Sequence, residues 1–141
     1  MTIKVHNLNN FNGVINAFKI EIEDEAESMA RRVAFAVDRQ VVMMSPVDTG
    51  RFRANWQVSL NVDAVGTVEH IPGIKGSTKG PNTQKALDQL GKVTKQFKLG
   101  DEIIIINNVE YGVYLNDGHS KQAPQNFVQI AVLAGVAAAK R

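Results

Sequence analysis

The sequence predicts an α+β fold: a long N-terminal α-helix packed on a small antiparallel β-sheet, with a C-terminal helix closing the chain. Three patterns predict it. Apolar residues recur mostly at three- and four-residue steps over residues 11–44, alternate over 56–62, and run unbroken over 103–106. These are the signatures of an amphipathic helix, a half-covered strand and a strand covered on both faces. With 141 residues, 44% of them hydrophobic and 21% charged, the chain is ordinary for a folded protein and is read as a single domain, 1–141.

The elements follow in order. Ile3 and Val5 alternate with polar neighbours and suggest a short first strand. The stripe Phe11, Ile15, Phe18, Ile22, Met29, Val33, Val37, Val41 and Met44 then reads as one helix, which would be roughly 50 Å long and would project beyond a small domain. Glu27 and Arg31 form a favourable i,i+4 pair on it. Pro46 stops the helix, because the residue before a proline is pushed out of helical geometry. Asp48, Thr49 and Gly50 supply turn chemistry, with the Asp48 carboxylate expected to accept from the N–H of Gly50 or Arg51. The sole tryptophan, Trp56, opens the alternating strand, and residues 65–69 suggest a returning one. Residues 71–82 are rich in Gly, Pro, Ser and Lys and read as an exposed loop, followed by a short helix within 83–94. Six lysines (Lys75, Lys79, Lys85, Lys92, Lys95, Lys98) face one acid, Asp88, in the insert 71–98. After the isoleucine strand come a turn at 116–120 and Pro124, which suits a first helical position. Residues 127–139 then form a helix that is apolar all round and needs cover on every side, part of it from another subunit.

Composition excludes several function classes. The absence of cysteine removes disulfides, thiolate catalysis and Cys-based zinc sites, and suits a reducing compartment. A formal charge of +2 does not describe a polybasic nucleic-acid binder, so any contact with nucleic acid falls to the local lysines. No apolar run approaches the roughly 20 residues of a membrane span, and the first residues lack the apolar core of a signal peptide. His6, His70 and His119 have no metal-ligand spacing, and no phosphate-binding glycine loop is present. No cofactor and no catalytic residue is expected. Asp48-Thr49-Gly50 matches the tripeptide of aspartic proteases, whose two carboxylates share a proton across a dimer axis. Here, however, the tripeptide follows a helix end and a proline rather than an apolar strand. A dimeric aspartic protease and a small nucleic-acid-binding module stand as the alternatives to an interaction protein.

Two segments together carry a resemblance. Ser45-Pro46-Val47-Asp48-Thr49-Gly50-Arg51-Phe52-Arg53-Ala54-Asn55-Trp56 resembles the S-P-V-D-T-G-R-L-R-x-S-W corner of tail-completion or neck proteins of tailed bacteriophages. Residues 107–124, with Tyr111, Tyr114, Leu115, Gly118, Ser120, Gln122 and Pro124, resemble that family's N-x-x-x-Y-A-x-x-L-E-x-G-x-S-x-Q-A-P segment, which Phe127 and Val128 continue. Departures are Gly112 for Ala, Asn116 for Glu and Asn126 for Gly. The resemblance implies a structural virion protein of the neck, a head–tail connector assembled in the host cytoplasm. It would form a sixfold or twelvefold ring that joins head to tail or completes the tail, around the channel through which DNA passes. Its partners would be other copies of itself and neighbouring connector and tail proteins. On this reading Pro46, Asp48, Thr49, Gly50, Arg51 and Trp56 form a structural corner. Tyr111, Tyr114, Gly118, Ser120, Gln122, Pro124 and Phe127 are interface candidates, and the six lysines face the DNA channel or a neighbouring ring.

Overall fold

Alternating and unbroken apolar runs build a four-stranded sheet. In the computed structural model, which describes residues 2–7, 18–21, 26–73, 79–98 and 100–140 and side chains from residue 27 on, the strands are β1 (Thr2–Asn7), β2 (Phe18–Glu21), β3 (Trp56–Leu60) and β4 (Glu102–Asn107). Their order is β2-β1-β4-β3. β3 and β4 are antiparallel, with Trp56 opposite Asn107 and Val58 opposite Ile105. β1 and β2 are also antiparallel, whereas β1 joins β4 in parallel, Ile3 beside Ile103. Strand β4 is therefore central, and Ile103, Ile104, Ile105 and Ile106 are all buried, as a strand with two covered faces requires.

Among the described residues, five helices accompany the sheet: α1 (Ala26–Met44), α2 (Arg51–Ala54), α3 (Lys79–Gln96), α4 (Gly112–Asn116) and α5 (Phe127–Ala139). The α+β architecture holds, with α1 sharing one core with β3 and β4. Val33, Val37 and Val41 of the helix cluster with Trp56, Val58, Ile103 and Ile105, and α5 adds Phe127, Val128, Ala131 and Val132.

The first helix is shorter than its apolar stripe suggests. It has 19 residues, about 28 Å at 1.5 Å each, rather than the roughly 50 Å expected. Residues 18–21 are strand instead. Phe18 and Ile20 alternate with Lys19 and Glu21, so the same residues also satisfy a period of two, and as a strand they give β1 a backbone partner. Residues 11–17 and 22–25 lie outside the described residues. The pair Arg31–Glu27 is present at 3.5 Å.

The insert differs more. Residues 79–96 form one 18-residue helix that begins before Pro81, where the expectation was a loop and a short helix. Proline is tolerated there because the first turn's N–H groups have no intrahelical partner to lose. Ala86, Leu90 and Thr94 are buried along it. Arg31 of α1 docks its far end, donating from Nε to the Thr94 carbonyl at 3.1 Å and from Nη2 to the Phe97 carbonyl at 3.1 Å. Residues 65–69 form no strand; side chains hold their backbone instead. Asn55 Nδ2 donates to the Val68 carbonyl while Val68 N–H donates to Asn55 Oδ1 (3.0 and 2.7 Å). Strand β3 ends at Leu60 because Asn61 adopts φ 64°, so Val62 falls outside it.

The C-terminal helix is covered on one side only. Ala131, Val132 and Gly135 are buried, while Ile130 and Leu133 remain 43% and 61% exposed. It starts at Phe127, three residues after Pro124, and Asn126 precedes it in the left-handed region at φ 60°. Asparagine tolerates that region better than other non-glycine residues, which accounts for Asn126 where the resemblance expects Gly. Asn116 supplies the cap that Asn126 does not: its Oδ1 accepts from Val128 N–H at 3.1 Å and its backbone carbonyl accepts from Asn126 N–H at 2.7 Å.

Candidate functional site

The two sequence segments that carry the resemblance meet in space. They enclose a groove of about 430 Å³ whose walls are Pro46, Asp48, Thr49, Gly50, Arg51 and Phe52 on one side and Tyr111, Tyr114, Leu115, His119, Ser120 and Gln122 on the other. The corner wall is anchored from beneath. Trp56 Nε1 donates to Ser45 Oγ at 2.6 Å, and that hydroxyl donates to the Val41 carbonyl at 2.6 Å, so the indole closes the end of α1. Arg53, almost wholly buried, donates from Nη2 to the carbonyls of Met43 and Ser45 (3.0 and 2.7 Å) and from Nη1 to Thr83 Oγ1 at 2.9 Å. These bonds satisfy carbonyls that the last helical turn leaves free. Burial pushes the Arg53 guanidinium below its ordinary value.

Phe52 is the floor. Its ring meets those of Trp56 and Phe127 edge to face at 5.9 and 6.1 Å and that of Tyr111 at 6.3 Å, geometries in which aromatic rings attract. Asn107, at the end of β4, donates from Nδ2 to the Phe52 carbonyl at 2.8 Å and ties the corner to the central strand.

The second wall is clasped to the first. Gln122 accepts from Val47 N–H at 2.9 Å and donates to the Val47 carbonyl at 2.8 Å, reproducing a strand pairing with one side chain. Arg51 grips Glu110 with both guanidinium nitrogens (2.7 and 3.1 Å) and lies 5.6 Å over the Tyr111 ring. The hydrogen bond to Glu110 raises Arg51, and the one from Arg51 lowers Glu110. Burial, opposed in part by Arg51, raises the Tyr111 phenol. Tyr114 and His119 stack at 4.2 Å and 12° and form a flat aromatic rim.

Gly50 takes φ 93° and leads into α2. The capping acceptor is Thr49 Oγ1, which receives Arg51 N–H at 3.3 Å, not Asp48 as expected; Asp48 is exposed on the groove wall. Of the interface candidates, Tyr111, Tyr114, Ser120 and Gln122 line the groove, and Gly118 and Pro124 are exposed outside it. Phe127 is fully enclosed in the core, because its ring packs under Phe52. Lys79, Lys85, Lys92 and Lys95 are on α3 and Lys98 follows it, while Lys75 lies outside the described residues. Sequence reasoning missed Ser45, Arg53, Asn107, Glu110 and Asn116 as individual determinants. A serine just before the helix-stopping proline was the one signal that pointed to a cap.

Among the described residues no cluster of three His, Cys, Asp or Glu could hold a metal, and no helix is long and apolar enough to cross a membrane. The fold is an α+β domain with a groove formed where its two signature segments meet. The chain belongs to the HK97-gp10-like family, described as "Bacteriophage HK97-gp10, putative tail-component", which it matches over residues 11–118. No curated protein and no solved structure matches it. As a member of a family of tail components it has the role of a structural component of phage assembly, and nothing supports the protease reading.

Proposed function

We propose that this protein is a ring-forming neck component. Copies of the single domain 1–141 join the head connector to the tail, or complete the tail end, around the DNA channel of the virion, after assembly in the host cytoplasm. The observation that carries this reading is the convergence of residues 46–52 and 111–122 on one groove, whose walls are tied together by the Val47–Gln122 clasp and the Arg51–Glu110 pair. A family of tail components implies partners among other phage structural proteins. The exposed Ile130 and Leu133 on α5 supply a second apolar contact surface. Sixfold or twelvefold symmetry is the copy number we assign from the resemblance to neck proteins; a head-to-tail contact closes into a ring when its rotation divides a full turn. The lysines of α3 then face either the channel or a neighbouring ring.

Electron microscopy of the virion neck tests the reading. A closed ring of six or twelve copies between head connector and tail is expected. One copy per particle, or a closed twofold dimer, would overturn it.

A further inference from the structure

We infer that the groove receives the α1 stripe Arg32–Phe35–Arg39 of a second copy of this chain, with Phe35 entering beside Tyr114 and an arginine pairing with Asp48. The inference rests on the reading that copies of the chain adjoin one another, and it names the residues that meet. On the groove side, Arg51 is already held by Glu110 and lies over Tyr111. Asp48 is the acidic residue of the lining, exposed and in no ion pair among the described residues. An aromatic rim with one unmatched carboxylate suits an occupant that combines an apolar ring with a cation.

The first helix presents that combination. Arg32, Phe35 and Arg39 are all exposed, Phe35 at 49%. Their spacing of three and four residues places them on one side of α1, opposite to the core-facing valines. Arg31 is engaged by Glu27 and the end of α3, whereas Arg32 and Arg39 make no ion pair among the described residues. The stripe covers about 10 Å of helix. The groove falls within the ~300–1,000 Å³ of ordinary pockets, large enough for one aromatic ring and a charged head. An amphipathic helix laid into an apolar groove by anchors at i, i+3 and i+7 is a standard mode of recognition. No residue of the stripe lines the groove, so the contact joins two different surfaces and can propagate from copy to copy.

The chain has no cysteine, which makes a disulfide test direct. Phe35→Cys and Tyr114→Cys are placed together in the full chain, and both assembled particles and the concentrated purified protein are oxidised. A ladder of cross-linked multimers is expected, absent from either single variant. Asp48→Arg should lower the cross-linked fraction by about tenfold or more, because like charges then meet, and adding Arg39→Asp should restore it. Ser120→Cys replaces Tyr114→Cys if the latter lowers the melting temperature. Particles that hold many copies yet give no ladder overturn the inference and leave the ring intact, as do cross-links only to other proteins. Particles with a single copy overturn the ring, and the inference with it.

Discussion

Ser45 shows how much one hydroxyl can hold. It accepts the Trp56 indole N–H and donates to the Val41 carbonyl, both at 2.6 Å. Ser45→Ala leaves the buried indole donor without a partner and should cost about 1–3 kcal/mol. Asp48→Ala, by contrast, removes an exposed side chain whose capping role Thr49 performs, and should change stability by no more than about 0.5 kcal/mol. Thermal melts of the two variants decide it; equal losses would contradict the assignment of the cap. Asp38 makes the opposite case. It is fully buried in α1, neither carboxyl oxygen has a hydrogen-bond partner, and burial raises its pKa well above the ordinary carboxylate value. The folded state therefore keeps its proton to a higher pH than the unfolded state does. The resulting stability is fully present below the unfolded carboxylate pKa and is lost as pH rises through the folded one. Asp38→Asn cannot ionise, so its melting temperature should exceed the parent's at pH 8 and approach it near pH 3. An Asn variant that gains nothing at pH 8 would show that Asp38 is charged and paired.

Between elements, the closest approach is α1 against α5. A Cβ on Gly135 would sit 2.6 Å from Val37 Cα and 2.8 Å from the Ala36 carbonyl carbon. Backbone cannot yield as a flexible side chain can, so the helices would have to separate. Gly135→Ala should cost about 1–3 kcal/mol through overpacking, despite alanine's better helix propensity. Gly91→Ala in α3 provides the control: the added methyl meets nothing within 4 Å, so stability should rise by about 0.5–1 kcal/mol. Opposite signs in denaturant titrations confirm the close packing; a stabilised Gly135→Ala would refute it. The same one-sided burial explains why α5 can be apolar all round: Gly135 and its small neighbours face α1, and Ile130 and Leu133 stay available to a partner.

At the scale of the molecule, parallel pairing of β1 with β4 brings residues about 100 positions apart into register, and α1, α5 and β4 share one core. The domain should therefore unfold in a single transition monitored alike by tryptophan fluorescence and circular dichroism. Two separated transitions would divide it. On the proposed function, the lysines of α3 are the groups that would meet DNA. Each lysine that neutralises a phosphate contributes about 0.9 to the slope of log affinity against log salt. Replacing Lys85 and Lys92 with Gln should lower that slope by about 2 if both meet DNA. An unchanged slope would assign this face to a neighbouring protein.

Local pattern was sufficient for the corner, β3, β4, the C-terminal helix and the family, because each depends on spacing within a few residues: Pro46 after a helical stripe, alternation from Trp56, four consecutive isoleucines. The bounds of α1 and α3 were not legible in the same way. Phe18 and Ile20 fit a period of two as well as a longer one, and only the free edge of β1 selects the strand. The helix read within 83–94 was legible, but its extension back over residues 79–82 and its docking on Arg31 were not, because Gly80 and Pro81 look like loop until the packing is known. The groove needed the tertiary structure most. Val47 and Gln122 are 75 residues apart, and Arg51 and Glu110 are 59 apart. Such pairings carry no periodicity, and they exist because the core brings the end of α1 onto the end of β4.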